Sequence, residues 1–456
     1  MKTSHDTSLP APSQALSRRS FLRTSLGLAA FSVVPAHVIG RGAEPPSNRL
    51  NLTFVGVNGR GGANFAELAG QNVVGICDVD ESRAAEARKQ APKAKFDRDF
   101  RKLLDQVAKE TDGVVVSTPD HTHAVVAMQA IRMGKHVYCE KPLAHSLHDI
   151  RQLTEAARAA NVATQLGNQG HSTESIRTFC EMIQSGELGA IREVHAFAQN
   201  SYRPRNFVVR PTDTPPVPAT LDWDLWLGPA PARPYHPIYL PGKWRGWVDF
   251  GTGIVGDWTC HVLDPIFWAL DLGAPTSAVA VAADYTDARV RAETYPPGCV
   301  LTYQFPAKGD RPAVKVVWYD GSFAPPRPPE LEPQRKLPQF GAIIVGDKGK
   351  AMHGSHGAGG WQLLPRARND AYRLPAPTIP RVPGHHADWI RACKGGPGAS
   401  SNWNYGGPLA EVALLGVLAL RFPGQRMDWD AANLRVTNFP AADAFIKPAY
   451  REGWTR

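Results

Sequence analysis

Three side chains are candidates for acid–base chemistry: Lys141, Asp257 and His261. Lys141 belongs to the triplet Glu140-Lys141-Pro142, which places an ammonium group just past an apolar strand. Asp257 and His261 are four positions apart, a spacing that puts both side chains on one face of a helix. An imidazole whose pKa lies near neutrality is suited to take up a proton during a reaction. The fold has to bring these three side chains together.

A second interpretation of the local structure stays open. Asp264-Pro265 is typical of an N-cap followed by a first-turn proline, which would begin a new helix there. Asp257 and His261 would then lie in a preceding turn instead of a helix.

A zinc site is an alternative use of the same region. His261 could combine with His121 or His123, or with His385 and His386. No metal is predicted, because the six cysteines are scattered singly, without the spacing of a zinc or redox site.

The segment LTFVGVNGRGG is an apolar strand that breaks into a glycine-rich loop. Gly56, Asn58 and Gly61 fall at the three fixed positions of the GxGxxG pattern, with Gly59 as an extra glycine. Asn replaces the middle glycine, and Asn tolerates left-handed backbone better than most residues do. In such a loop the backbone can approach a pyrophosphate at a helix N-terminus. The sequence therefore predicts a dinucleotide site.

The nature of the dinucleotide depends on Asp78, which ends the next strand, 22 residues after Gly56. A carboxylate at this place accepts a hydrogen bond from a ribose 2′-hydroxyl and repels a 2′-phosphate. NAD is therefore favoured over NADP. Arg60 and Arg83 are two nearby cations that keep NADP as the alternative.

The order of the elements indicates the fold class. From residue 49 to 167, short apolar strands alternate with helical stretches, which predicts a doubly wound parallel sheet of the Rossmann type, an α/β fold. From 168 to 456, strands such as CVLTYQFP and AVKVVWYDG follow one another with few helices, until a helical tail from His385. This part is predicted to be an α+β domain with a large, mostly antiparallel sheet. Its Pro-rich segments, 203–241 and 322–338, are predicted to be long irregular loops.

Residues 1–48 are predicted to be an export signal and linker. Arg18-Arg19 is followed by an apolar run and by small residues near Ala36, the order of a twin-arginine signal. The apolar run is too short to span a membrane. We expect a periplasmic or otherwise exported protein that meets the twin-arginine machinery as a partner and has no stable membrane span after processing.

Residues 1–49 contribute +4 of the net charge of +9. Residues 1–49 carry six Lys or Arg against two acidic residues, and the rest of the chain has no dense basic run. Nucleic-acid binding requires a concentrated basic stripe, so no nucleic-acid partner is predicted.

These motifs, with STPDHTHA, GKHVYCEKP and GTGIVGDWTCH, resemble those of the Gfo/Idh/MocA oxidoreductase family from about residue 50 to the C-terminus. The resemblance implies that Lys141 lies beside the nicotinamide and the substrate hydroxyl, with Asp257 and His261 near the reacting carbon. His261 is then the base, Lys141 donates a hydrogen bond to the developing alkoxide, and Asp257 orients one of them. The predicted cofactor-binding residues are Gly56, Asn58, Gly59, Arg60, Gly61, Asp78, Thr118, Pro119, His123, Glu140 and Lys141.

Substrate contacts are predicted for two groups of side chains. Trp244, Arg245 and Trp258 crowd the Asp257 region, and tryptophan faces stack well on sugar rings, although core packing is the alternative. Asn168 and His171 follow the first domain and could reach the cleft, or could form a polar hinge.

Export constrains the activity, because no ready pool of nicotinamide nucleotide exists outside the cytoplasm. We expect tightly bound NAD and hydride transfer from a ring carbinol of a sugar, polyol or glycoside, in a homo-oligomer. One alternative is a redox-neutral glycoside hydrolase or lyase that uses transient oxidation and elimination. The other is a non-catalytic protein that binds a nucleotide or sugar.

Overall fold

The computed structural model describes residues 48–206 and 208–455. The predicted export signal lies outside these residues. From Leu50 onward the chain forms one compact unit built on two sheets. None of the helices in the described ranges is long and apolar enough to cross a membrane.

The first sheet has six parallel strands in the order β3-β2-β1-β4-β5-β6, with the reversal of order between β1 and β4. This is the strand order of a doubly wound dinucleotide-binding domain. β1 and β4 are buried along almost their whole length, as expected for strands that helices cover on both faces. The predicted Rossmann sheet is confirmed. Its strands are β1 (Asn51–Val55), β2 (Asn72–Cys77), β3 (Lys95–Asp97), β4 (Gly113–Val116), β5 (His136–Cys139) and β6 (Thr164–Leu166).

Five helices connect these strands, and side-chain caps fix where several of them begin. Asp80, Asp99 and Ser146 each accept a hydrogen bond from a backbone N–H in the first turn of the following helix. The helices are α1 (Arg60–Glu67), α2 (Glu81–Gln90), α3 (Phe100–Val107), α4 (Asp120–Arg132) and α5 (Leu147–Ala159).

The second sheet has nine strands in the order β13-β12-β11-β7-β10-β9-β8-β14-β15. Only the central pair of β7 and β10 is parallel, so the prediction of a mostly antiparallel sheet is confirmed. The strands are β7 (Ile191–Ala198), β8 (Ser277–Ala282), β9 (Cys299–Phe305), β10 (Val314–Asp320), β11 (Phe340–Gly346), β12 (Lys350–Gly354), β13 (Gln362–Leu364), β14 (Met427–Asp430) and β15 (Arg435–Val436).

Eight further α-helices lie in the described part of the chain after β6. They are α6 (Glu174–Gln184), α7 (Trp223–Leu227), α8 (Gly253–Val262), α9 (Asp264–Ala269), α10 (Ala288–Glu293), α11 (Arg366–Ala371), α12 (His385–Cys393) and α13 (Trp403–Leu420). Segment 203–241 is not wholly irregular, because it contains α7 and a 3-10 turn at Pro237–Tyr239.

One hydrophobic core crosses the predicted domain boundary at 167/168, and α13 is the element that both domains share. Arg151 of α5 makes a double hydrogen bond to Glu411 of α13, at 2.8 and 2.9 Å. Close packing of the α13 backbone requires glycine on two sides. A Cβ at Gly407 would lie 2.4 Å from Thr154 Oγ1 in the first domain, and one at Gly416 would lie 2.1 Å from the Tyr303 hydroxyl in the second.

Candidate active site

Lys141 and Asp257 form a buried ion pair where the edge of the first sheet meets α8. Lys141 follows β5, and its Nζ donates to Asp257 Oδ1 at 2.5 Å and to the Asp257 backbone oxygen at 2.9 Å. Only 11% and 7% of the two side chains are exposed. An ammonium group has three N–H donors, so the contacts within the described residues leave one donor for a bound molecule.

Two further side chains hold the Asp257 carboxylate. Tyr202 donates its hydroxyl to Oδ2 at 2.6 Å, and Arg245 Nε lies 3.4 Å from Oδ1. Burial alone would raise the pKa of Asp257, but Lys141 and Arg245 outweigh it and hold that pKa below its ordinary value. Burial and the adjacent carboxylate raise the pKa of Tyr202, so its hydroxyl remains a donor.

His261 lies one turn after Asp257 on α8, as the four-residue spacing predicts. Its Nδ1 is buried and has no hydrogen-bond partner among the residues that the structure describes. Burial lowers the pKa of His261 well below its ordinary value, and Lys141 and His356 add to this effect. The imidazole is therefore neutral near pH 7. Its unprotonated ring nitrogen is a weaker proton acceptor than an imidazole whose pKa lies near neutrality, which is what the sequence led us to expect.

The N-cap alternative at Asp264-Pro265 is partly adopted. A new helix, α9, does begin there, but it follows α8 after one residue and leaves Asp257 and His261 helical. The N-cap residue is Leu263, so the prediction that Asp264 caps the helix is wrong. The Asp264 carboxylate is instead bonded to the side chains of His171 and Tyr405.

The tryptophans of this region have two different settings. Trp258 stacks on Phe340 with ring centroids 3.8 Å apart and donates from Nε1 to the Tyr202 hydroxyl at 3.0 Å. Trp244 is 8% exposed and packs in an apolar cluster, with the Arg245 guanidinium 4.3 Å above its ring. Core packing, the alternative left open by the sequence, thus describes Trp244 better than Trp258.

Asn168 and His171 are engaged with other protein groups. Asn168 Nδ2 donates to Asp264 Oδ2, and Ser401 donates to Asn168 Oδ1. His171 stacks on Trp268, and Asn168 and His171 are each 1% exposed. This arrangement favours the polar-hinge interpretation, and substrate contact by either residue stays a prediction.

The glycine loop fits a dinucleotide in its close packing. Gly56 has a φ of +81°, and a Cβ there would lie 2.6 Å from the Ser117 backbone oxygen. A Cβ at Gly61 would lie 2.2 Å from the Gly56 oxygen. Gly59 is the N-cap of α1 and no side chain caps this helix, so N–H groups of the first turn are available to an anion.

Asn58 and Asp78 complete the loop by binding backbone. Asn58 Oδ1 accepts from the Gly59 N–H at 2.7 Å and from Arg83 at 3.0 Å, so the residue in place of the middle glycine stabilises the turn. Asp78 directly follows β2 and accepts hydrogen bonds from the N–H groups of Val57 and Asp80. Burial raises the pKa of Asp78, and the pattern places its carboxylate at the loop, where a ribose would lie.

Glu140 and Arg60 join the loop to the segment that carries Lys141. Glu140 Oε1 accepts from Arg60 Nε at 3.1 Å, from Asn64 at 2.8 Å and from Gln169 at 2.9 Å. Glu140 therefore fixes α1 against the turn that carries Lys141, and contact of Glu140 or Arg60 with a cofactor stays a prediction.

The turn after β4 supplies the other predicted contacts. Pro119 is the N-cap of α4, and Thr118 Oγ1 is buried with no partner among the described residues, a polar atom that a cofactor would satisfy. His123 is less available, because its ring nitrogens lie 2.8 Å from the backbone oxygens of Pro142 and Thr118. His123 thus fixes the Lys141-Pro142 turn, and its contact with a cofactor stays a prediction.

Three of the histidines considered for the alternative zinc site form hydrogen bonds with other protein groups. His121 and His385 each pair a ring nitrogen with a backbone oxygen, and His386 pairs with Asn64. Within the described ranges, no three His, Cys, Asp or Glu side chains are grouped so that they could hold a metal ion.

Sequence reasoning missed two residues of the centre, Tyr202 and His356. Tyr202 stands in a Pro-rich segment, and His356 stands in a glycine-rich turn after β12. The His356 ring lies 4.2 Å from the His261 ring, centroid to centroid, with its backbone in the left-handed region. Neither segment has a periodicity that points to a site.

The strand order, the glycine loop and the buried ion pair define a two-domain dinucleotide-binding protein. Residues 50–168 match the Gfo/Idh/MocA model of an oxidoreductase family with an NAD-binding Rossmann fold, and residues 173–303 match its C-terminal alpha/beta domain. These matches together span more than half of the chain. The chain belongs to the Gfo/Idh/MocA oxidoreductase family, whose first domain binds NAD.

Curated relatives match over part of their length. They include a 1,5-anhydro-D-fructose reductase of Ensifer adhaerens, 29% identical over 38% of this chain and 41% of the relative. Inositol 2-dehydrogenase 2 of Saccharopolyspora erythraea is 31% identical over 34% and 47%. Glycosyl hydrolase family 109 protein 2 of Akkermansia muciniphila is 26% identical over 38% and 45%. The chain spans less than half the length of each.

Solved structures are similar in fold over most of the chain. The WlbA dehydrogenase of Bordetella pertussis, in complex with NADH and UDP-GlcNAcA, has a TM-score of 0.58, 18% identity, and coverage of 84% of this chain and 99% of that one. An inositol dehydrogenase homologue of Azotobacter vinelandii, with NADH and myo-inositol, has a TM-score of 0.53, 18% identity, and coverage of 84% and 98%.

Proposed function

We propose that the protein is an exported NAD(P)-dependent oxidoreductase that oxidises a ring carbinol of a sugar, polyol or glycoside. One observation carries the proposal. Lys141, with one N–H donor left, shares a buried centre with the neutral imidazole of His261, whose Nδ1 has no partner among the described residues. A donor beside an acceptor is what removal of a hydroxyl proton requires.

The glycine loop around Gly56, Thr118 and Asp78 would hold the cofactor, and bound NAD supplies a hydride acceptor. The chain's own residues handle the hydroxyl group. His261 accepts the hydroxyl proton at a ring nitrogen, and Lys141 donates a hydrogen bond to the oxygen as its negative charge develops. Asp257 fixes the direction of the Lys141 donor, and Tyr202 fixes Asp257.

A cofactor that stays bound through many turnovers is part of the proposal. In each cycle the carbinol gives its hydride to the bound NAD, and a second carbonyl compound then takes the hydride back and is reduced. The support is the twin-arginine pattern at Arg18-Arg19, since this route carries folded proteins out of the cytoplasm, where the cofactor would be loaded. The engagement of Arg60 with Glu140 and of Arg83 with Asn58 favours NAD over NADP, because both arginines are then directed to protein groups.

The second candidate is redox-neutral cleavage of a glycoside by transient oxidation, elimination, water addition and re-reduction. The observation that favours it is the pair of His261 and His356, because elimination needs a second base for the acidified C–H. Relatives named as glycosyl hydrolase family 109 proteins agree with this candidate.

The first experiment is to purify the protein from the cytoplasm, denature it and identify released nucleotide by mass spectrometry. We expect near-stoichiometric NAD or NADH, and an empty protein would contradict a tightly bound cofactor.

In the second experiment, sugars and glycosides are supplied to the purified protein without added nucleotide. Absorbance of reduced nicotinamide indicates net oxidation, whereas a cleaved glycoside with solvent deuterium at the carbon next to the oxidised one indicates the redox-neutral route. Bound nucleotide with neither signal would favour a non-catalytic binding protein.

A further inference from the structure

We propose that the substrate carries an anionic group, a carboxylate or a phosphoryl group, and that a cationic cavity beside the active site binds it. This inference rests on the proposed function, because it assigns a substrate class to the same site.

The cavity has a volume of about 590 Å³ and lies between three loop segments, at 201–206, 236–238 and 241–243. Pockets that hold small molecules are typically about 300–1,000 Å³, so a sugar with a substituent fits this size. Pro204, Pro237, Ile238 and Pro241 supply apolar walls.

The cavity shares its wall with the active site. Tyr202 lines the cavity, and its hydroxyl donates to Asp257 Oδ2 at 2.6 Å. On the opposite segment, the Gly242 oxygen accepts from Arg245 Nη1 at 3.5 Å, and Arg245 Nε reaches Asp257. A molecule in the cavity is therefore separated from the Lys141–Asp257 pair only by the side chain of Tyr202 or Arg245.

The charged side chains that line the cavity are all cationic. They are Arg203, Arg205 and Lys243, and none of the lining residues is Asp or Glu. Arg203 forms an ion pair with Asp284 at 3.0 Å, and Asp284 is 83% exposed. His236 also lines the cavity, and its Nε2 lies 3.3 Å from a carboxylate oxygen of Asp213.

Arg205 and Lys243 are the two lining cations for which the described residues provide no ion-pair partner. Both are exposed side chains, one on each side of the cavity. A guanidinium binds carboxylate and phosphoryl oxygens in a planar, two-donor geometry, and an ammonium adds a point charge. An anionic substituent would form ion pairs with Arg205 and Lys243 while the sugar ring extends toward Tyr202.

The test is calorimetric titration of the full NAD-loaded chain with D-glucuronate, glucose 6-phosphate and D-glucose. We expect an anionic sugar to bind about tenfold more tightly than glucose, and this preference to weaken as ionic strength rises. The double variant Arg205→Gln, Lys243→Gln should lose the preference. The control variant Lys109→Gln, which removes an exposed cation of the first domain, should keep it.

The two anions separate the sources of charge: tighter glucuronate binding indicates a carboxylate, and tighter glucose 6-phosphate binding indicates a phosphoryl group. Equal binding of all three sugars, no anion binding, or a preference that survives the double variant would overturn the proposal. Nicotinamide absorbance is read separately. An anion preference without hydride transfer would count against the proposed function alone, whereas turnover of neutral sugars without a preference would count against the anion site alone.

Discussion

Lys141 donates two hydrogen bonds to one residue, Asp257, that lies 116 positions further along the chain. One bond goes to the carboxylate and the other to the backbone oxygen. The first sheet is thereby attached to α8, the helix that also carries His261. The candidate acid–base residues therefore lie where the first sheet packs against α8.

Replacing Lys141 by alanine should abolish most turnover while nucleotide stays bound. Loss of the donor to the developing alkoxide is expected to lower kcat/KM by about 10³-fold. The measurements are steady-state turnover and mass spectrometry of released nucleotide. Lys95→Ala is the control, because it removes a lysine from an exposed ion pair with Glu110. Wild-type turnover in Lys141→Ala would end the assignment.

Tyr202→Phe should lower kcat with little change in KM for the sugar. The substitution removes one donor to the buried Asp257 carboxylate, and a hydrogen bond to a charged group contributes about 1.5–3 kcal/mol, or roughly a tenfold to hundredfold effect on rate. Tyr235→Phe is the matched control, since the described residues give the Tyr235 hydroxyl no hydrogen-bond partner. An equal loss in both variants would show that Tyr202 acts only through packing.

Gly56→Ala should empty the cofactor site. Alanine is strained at a φ of +81°, at a cost of about 1–2 kcal/mol, and its Cβ would collide with the Ser117 oxygen 2.6 Å away. The ratio of absorbance at the nucleotide and protein maxima measures occupancy, and circular dichroism checks folding. Gly70→Ala, where nothing lies within 4 Å of the added Cβ, should keep full occupancy. A fully loaded Gly56→Ala protein would contradict the loop assignment.

Stability should fall as the pH is lowered from about 6.5 toward 4. Burial lowers the pKa of His353 to about 4 and that of His121 to about 3. Both folded-state values lie below the unfolded value, so the unfolded chain takes up protons first, and each histidine costs up to about 1.4 kcal/mol per pH unit in this window.

Urea unfolding of wild type and His353→Phe at several pH values measures this effect. Asp320 has the opposite effect on stability, because burial raises its pKa to about 6. Its contribution is the same in wild type and in His353→Phe, so the comparison of the two proteins cancels it. The variant should show a shallower loss of unfolding free energy below pH 6.5. Parallel curves would mean that His353 does not titrate in this window.

The part of the site that the sequence predicted is the part with local patterns. Asn51 to Asp78 follows a strand–loop–helix–strand order. The spacing of Asp257 and His261 is that of one helical turn. Tyr202 and His356 could not be predicted, because they lie in segments without periodicity and reach the centre only through tertiary contacts. The Asp264 cap failed because buried partners compete for its carboxylate, and a tertiary hydrogen bond there replaces a local one.

Helix α13 bears on how such proteins can recombine. Its residues near Gly407 are shaped for the first domain and those near Gly416 for the second sheet, although the helix lies more than 200 positions after the Rossmann strands. A gene fusion that exchanged only the Rossmann half with a relative would pair that half with a foreign surface of α13. An exchange between relatives should therefore succeed only when the exchanged Rossmann half and α13 come from the same protein. The two halves of the chain would then be inherited together and would not act as interchangeable modules.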